Sequence, residues 1–240
     1  LLTHASNVSG TVLPIERAGE LCQSRGISFA VDAAQTAGHR SIDLSQLHID
    51  ALCVPGHKGL CGPSGIGALL LSPAFAAALE PLIVGGTGSD SSSEVQPRYM
   101  PDRFESGTPN LPGIYGLHAA LSELLAEGIA IRQDREQALL EHFLSGLDGI
   151  DGIRVPGTRD LTRRVGVVSI DCSARRDNAE VADRLASEYE ILTRCGLHCS
   201  PSAHQTYGTY PQGTVRFSFN SSNTIAEIDA ALDALREILR

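Results

Sequence analysis

Apolar positions along the chain fall into two kinds of pattern. Short unbroken runs at residues 1–4, 27–31, 51–54 and 66–71 read as strands. Apolar residues at helical spacing over 14–24, and over 72–79 after a Ser-Pro start, read as helices. Residues 45–47 read as a short helical turn. Strand runs without polar alternation suit a sheet covered on both faces, so this part predicts an α/β layer with mostly parallel strands. Residues 84–110 break the pattern. They are rich in Gly, Ser and Pro, and a loop this long in a compact domain serves function or motion. Residues 112–147 predict one or two long helices bridging two domains. Strands at 165–171, 191–194 and 215–219 with helices at 178–189 and 224–239 then predict a small α+β domain.

Composition narrows the classes. Of 240 residues, 42% are hydrophobic and 20% charged, with net charge −9. An acidic chain lacks the basic surface that nucleic-acid or anionic-membrane binding needs, so neither partner is expected. No apolar stretch approaches the ~20 residues of a bilayer span. The six cysteines, Cys22, Cys53, Cys61, Cys172, Cys195 and Cys199, form no CxxC pair, which argues against a zinc ribbon, and no metal site is expected. Cys22 and Cys53 lie in apolar periodic segments and are expected to be buried thiols. No signal peptide opens the chain, so a reducing cytoplasm is the expected compartment. Leu1-Leu2-Thr3-His4 reads as a strand already in progress, without an initiator Met, so an N-terminal portion is expected to be missing.

Two residues carry candidate chemistry. Lys58, in Val-Pro-Gly-His-Lys-Gly, follows an apolar run and precedes a glycine-rich stretch. Asp32, in Phe-Ala-Val-Asp-Ala-Ala-Gln-Thr, closes an earlier apolar run. A lysine and an acid, each ending a buried strand, are what a pyridoxal phosphate site needs. The amine forms the Schiff base, and the carboxylate keeps the pyridine nitrogen protonated so that the ring accepts electrons. Taken singly, each has a plainer reading. Asp32 with Gln35 three residues on suits a helix N-cap and capping box. Lys58 and His57 suit a solvated loop. Neither GxGxxG nor GxxxxGK[ST] is present, which disfavours a nucleotide-binding protein.

The combination goes further. Asn7-Val8-Ser9-Gly10-Thr11, Val31-Asp32-Ala33-Ala34-Gln35, Gly56-His57-Lys58, Gly62-Pro63-Ser64-Gly65-Ile66-Gly67, Phe104-Glu105-Ser106-Gly107-Thr108-Pro109-Asn110 and Arg194-Cys195-Gly196-Leu197-His198-Cys199 occur in this order. Together they resemble the class V aminotransferase-like pyridoxal phosphate enzymes of fold type I, in the cysteine desulfurase and selenocysteine lyase branch, over essentially the whole chain.

That resemblance implies a partial cofactor-binding large domain over 1–112, connecting helices over 113–147 and a small C-terminal domain over 148–240. It implies that Lys58 is the Schiff-base lysine and proton shuttle, that Asp32 pairs with the pyridine nitrogen, and that Gln35 donates to the ring O3′ or the Schiff-base region. His57 would help bind the phosphate, while Gly107 and Thr108 would reach the phosphate of a neighbouring subunit in a homodimer. Asn7 and Arg216 would hold the carboxylate of an amino-acid substrate, with Arg194 assisting nearby; a planar guanidinium suits that task. Cys199 would attack the sulfur of cofactor-bound cysteine, giving an enzyme persulfide and alanine, and a protein sulfur acceptor could follow. His198 or Arg194 would supply positive charge to that thiol. Cys195 is a second candidate thiol, and His204 a proton relay or a surface residue.

Two departures bear on this expectation. Pro55 stands where the branch usually has a phosphate-binding Ser or Thr, and proline offers neither a hydroxyl nor an N–H. The family's glycine/threonine phosphate-binding turn and its ring-stacking aromatic or histidine do not occur in these residues, so the chain alone is expected to bind the cofactor poorly or not at all. The alternatives are a class V aminotransferase, a cysteine-conjugate β-lyase, or an inactive fragment acting as a dimerisation or docking module.

Overall fold

A computed structural model describes all 240 residues as two sheets, each packed with helices. In the first sheet, β1 (Leu2–Thr3), β2 (Ala30–Asp32), β3 (Ala51–Pro55) and β4 (Gly67–Leu71) lie side by side in that order. β1 to β3 run parallel and β4 is antiparallel to β3. α1 (Ile15–Ser24) connects β1 to β2. It begins after Pro14, whose fixed φ suits a helix start, and buries Ile15 and Gly19. Gly19 is a close-approach position, since a Cβ there would lie 2.1 Å from the Leu47 carbonyl oxygen. The small core beneath this sheet holds Ile15, Phe29, Val31, Ala33, Ile49 and Leu52. α2 (Pro73–Ala78) starts at Ser72, whose hydroxyl accepts the Phe75 N–H and donates to Asp50 at 3.0 Å.

Two expectations about this sheet are corrected. It is not covered on both faces: Leu69 and Leu70 of edge strand β4 are 52% and 41% exposed. Cys53 is exposed rather than buried, and Cys22 is half-buried. Cys53 and its register partner Asp32, on neighbouring parallel strands, share the open side of the sheet. β2 also starts later than its apolar run, because the Phe29 N–H is taken by the Asp50 carboxylate at 2.9 Å rather than by a strand partner.

No helix or strand forms between α2 and α3 (Leu111–Glu127). α3 turns into α4 (Ile129–Leu147) through an 80° bend at Gly128, whose φ of +90° favours glycine. No single helix is long and apolar enough to cross a membrane. The second sheet is fully antiparallel, with β7 (Thr214–Ser218) between β5 (Val167–Ile170) and β6 (Arg194–Gly196). Against it lie α5 (Asn178–Tyr189), α6 (Pro201–Tyr207) and α7 (Ile225–Ile238). The larger core is here, and α4 contributes Leu139, Leu140, Phe143, Leu144 and Leu147 to it. The Phe143 ring centroid lies 4.9 Å from those of Phe217 and Phe219. The strand expected at 191–194 shifts to β6, because the left-handed Glu190 and the Ile191 N–H to Leu185 carbonyl bond use those residues to close α5. α6 has too few apolar residues for a periodic signal. It is tied by buried His204, whose Nδ1 bonds Thr209 Oγ1 at 2.7 Å.

The halves meet at the turn after β1. Ser169 Oγ donates to the Val8 carbonyl, the Val165 N–H to the Gly10 carbonyl, and the Val12 N–H to the Arg163 carbonyl. Arg164 stands behind this seam, only 1% exposed, with no carboxylate partner. Its guanidinium donates to the carbonyls of Val167, Thr158 and Pro156. Burial is the main reason its pKa falls to about 10. Arg164→Met strands three carbonyls without a donor and is expected to destabilise the fold by about 2 kcal/mol or more. The midpoint of urea unfolding measures this.

Candidate active site

β3 runs into a tight turn that carries Lys58. Gly56 N–H bonds the Ile66 carbonyl, Gly62 N–H the Gly56 carbonyl at 2.7 Å, and Cys61 N–H the Lys58 carbonyl. The turn packs back-to-back against the one that follows β2. A Cβ on Gly38 (φ +83°) would lie 2.1 Å from the Gly59 carbonyl oxygen, and one on Gly59 would lie 2.3 Å from that of Ala37. Two glycines therefore let the Gln35 turn and the Lys58 turn share one cavity wall. Of the 19 Lys and Arg residues in the sequence, Lys58 is the single lysine.

The opposite wall is built by Asn7, β7 and the loop after β6. His198 and Cys199 are successive non-glycine residues at positive φ, +51° and +61°. Each such residue costs on the order of 1 kcal/mol and persists only where neighbours hold it. Asn7 does much of the holding: its Nδ2 donates to the His198 carbonyl at 2.6 Å and its Oδ1 accepts from Ser200 Oγ at 2.9 Å. His198 Nε2 bonds Thr214 Oγ1 at 2.9 Å. Arg216 donates to the Asn7 carbonyl at 3.0 Å and keeps a buried, unpartnered Nε. Cys199 is exposed, and the Arg194 guanidinium lies 3.9 Å from its sulfur.

These walls enclose a cavity of about 480 Å³. It brings together Asn7, Gln35, Lys58, Arg194, Cys199 and Arg216. Asp32, His57, Gly107 and Thr108 are not among its lining residues. Asp32 is half-buried at the end of β2, and its carboxylate accepts the Ala34 N–H at 2.9 Å. No helix follows, so it caps a turn rather than a helix. His57 is exposed in the Lys58 turn, and Gly107 lines a separate hollow against α3. Cys195 sits within β6, its thiol raised chiefly by burial.

The cavity is cationic although the chain is acidic. Lys58, Arg132, Arg194 and Arg216 line it, with no Asp or Glu. Burial first, and then the Arg194 charge, lower the Arg216 pKa, and the Cys199 sulfur partly offsets them. His198 is pushed down to about 4 by burial, then by Arg216, His204 and Arg194. It is therefore neutral near pH 7 and cannot charge the Cys199 thiol. Arg194 is the cation within reach.

Sequence reading passed over four residues of this site. His39 lines the cavity, and its Nδ1 is held by the 5%-exposed Glu136 of α4 at 2.8 Å. One turn before Glu136, Arg132 also lines it and donates to the Cys61 sulfur at 3.5 Å. The one local signal was position: His39 and Cys61 each sit a few residues past Gln35 and Lys58.

The family model for class-V aminotransferases matches residues 1–231. The chain belongs to the class-V aminotransferase family. Within it, the chain is 35% identical over 242 residues to a probable cysteine desulfurase of Pyrococcus abyssi. That match covers 99% of this chain and 58% of the relative. It is 32% identical to a cysteine desulfurase of Escherichia coli O157:H7, covering 100% of this chain and 58% of the relative. Among solved structures, the apo cysteine desulfurase of Thermococcus onnurineus superposes with a TM-score of 0.90 at 33% identity, covering 99% of this chain and 60% of that one. The Escherichia coli cysteine desulfurase CsdA, in an S-sulfonic acid form, gives 0.88 at 31%, covering 100% and 59%. The chain thus spans under two thirds of the length of these relatives.

Proposed function

We propose that these residues belong to a pyridoxal phosphate-dependent cysteine desulfurase, which moves sulfur from L-cysteine to Cys199 and releases L-alanine. The observation that carries this reading is the cavity itself. One amine, three carboxamides, three guanidinium groups and two exposed thiols, Cys199 among them, converge in a space free of acids. Such a set fits the reacting end of an anionic aldehyde cofactor together with an α-carboxylate. The similarity to cysteine desulfurases supports it.

When bound, pyridoxal phosphate supplies an electron sink for the bonds around the substrate α-carbon. The protein's part follows from its own residues. Lys58 would hold the aldehyde carbon and carry a proton to and from the substrate. Asp32 would face the pyridine nitrogen and Gln35 the ring oxygen. Arg216, whose buried Nε has no partner, would take the substrate carboxylate. Asn7 would set that guanidinium and also brace the Cys199 loop. The Cys199 thiolate would attack the substrate sulfur, breaking its bond to the β-carbon and leaving a persulfide, with Arg194 beside the charge. His57, Gly107 and Thr108 would serve the phosphate, the last two from a second copy of the chain. A homodimer, a protein sulfur acceptor and a cytoplasmic setting complete the proposal.

Cys199→Ala is expected to abolish persulfide formation and to lower alanine release at least ~10²-fold. Alanine quantification and persulfide labelling check both. Pyruvate and ammonia produced undiminished by the variant would overturn desulfuration in favour of a β-lyase.

A further inference from the structure

The cavity has a second thiol that the proposed reaction leaves unused. Cys61 lines it together with Lys58 and Cys199, is exposed, and is held at φ +58° in the turn after Lys58. Its environment parallels that of Cys199. The Arg194 guanidinium lies 3.9 Å from the Cys199 sulfur, and the Arg132 guanidinium 3.5 Å from the Cys61 sulfur.

Arg132 is the more telling of the two cations. It is only 7% exposed, yet its carboxylate partner Glu127 is 3.4 Å away and is shared with Arg135 at 2.8 Å. Its Nε is buried and has no partner at all. A guanidinium so deeply buried calls for an anion, and the atom placed beside it in the cavity is the Cys61 sulfur. Glu136, four residues on along α4, holds the Gln35 turn through His39, so one helix face grips both turns of the cavity wall and keeps Cys61 in place.

We propose that Cys61 is a second sulfur-carrying thiol, which takes the outer sulfur from the Cys199 persulfide and holds it at the Arg132 end of the cavity. This rests on the desulfurase reading for its sulfur source. In the step, the Cys61 thiolate attacks the outer sulfur. A bond forms between them, the bond to Cys199 breaks, and Cys199 leaves with the electron pair as a thiolate. The proton given up by Cys61 ends on Cys199. One persulfide and one thiol become one thiol and one persulfide, so no oxidant or reductant is required. The sulfur then rests beside Arg132, and Cys199 is free for another turnover.

The test supplies sulfur without the desulfurase reaction. The purified chain receives one equivalent of inorganic polysulfide, is alkylated, and its cysteine peptides are weighed. Sulfur is expected on both Cys199 and Cys61, and its amount on Cys61 is expected to fall about tenfold in Cys199→Ser. Cys61→Ser should retain sulfur on Cys199 alone. Arg132→Met should slow iodoacetamide alkylation of Cys61 about fivefold, with Cys22 of the same chain as internal standard and Arg132→Lys restoring much of the rate. An unlabelled Cys61, a Cys61 labelled equally in Cys199→Ser, or a Cys61–Cys199 disulfide in place of the persulfide would overturn the proposal. A chain that passes polysulfide sulfur from Cys199 to Cys61 but makes no alanine from cysteine would instead overturn the desulfurase reading and leave the relay standing.

Discussion

Lys58→Ala is expected to eliminate side-chain capture of pyridoxal phosphate by the folded chain. Lys58 is the single lysine of the sequence, so the only other primary amine is the N-terminal one, and the chain carries its own control. In the wild type, brief exposure to pyridoxal phosphate followed by borohydride should add one pyridoxyl group to the Lys58 peptide, favoured over the N-terminus on the order of 10²-fold. The preference has a physical source. The amine opens into a cavity with three arginines and no acid, where an anionic aldehyde concentrates, while Gly38 and Gly59 lock the turn that presents it. Reductive trapping records the encounter even where retention is weak, which matters because Pro55 offers no phosphate contact. Unfolding in urea should erase the preference, since the cavity vanishes while the amine remains. Where alanine release from cysteine is measurable, Lys58→Ala should reduce it at least ~10⁴-fold. Equal labelling of Lys58 and the N-terminus in the folded chain would return Lys58 to an ordinary solvated lysine.

Much of this site was legible because its chemistry lies in short local motifs. Lys58, Gln35, Asn7, Arg194, Cys199 and Arg216 each stand in a run whose neighbours set the local backbone, and the fold brings those runs to one cavity. Strand and helix order was readable for the same reason, since apolar periodicity is a local property. What escaped depends on contacts distant in sequence. Glu136 meets His39 across 97 residues and Arg132 meets Cys61 across 71, so nothing near either partner announces the pair. Cys53 was misjudged because an apolar run implies burial only where another layer covers the strand, and its side of the sheet is open. His198 was misjudged because burial first, and then the nearby Arg216 and Arg194, keep its ring from holding a proton, and the antiparallel β6–β7 pairing is what makes those two arginines neighbours.

That same histidine sets the second large expectation, a loss of stability in mild acid. His4 and His198 are 3% and 4% exposed, and each has a buried Nδ1 without a partner. Burial is the main cause that takes each pKa from 6.5 to about 4. Arg40 adds to it at His4 against the opposing pull of Glu16, and Arg216, His204 and Arg194 add to it at His198. The sign follows from which state binds the proton. Below pH 6.5 the unfolded chain gains protons on both rings and the folded chain does not, so the unfolded state is favoured progressively. The contribution is intact above pH 6.5 and is lost between pH 6.5 and about 4, where the folded rings begin to titrate. Each ring costs at most ~1.4 kcal/mol per pH unit over that window, so the pair removes several kcal/mol, a large share of a typical domain's stability. Urea midpoints should hold steady from pH 8 to about 7 and then fall steeply towards pH 5, with His4→Gln roughly halving the slope. A midpoint flat from pH 7 to 5 would contradict the burial of both rings. Protonation of His198 within the Asn7-braced loop also predicts where opening starts. Hydrogen exchange should accelerate first around residues 197–200, before the large core yields.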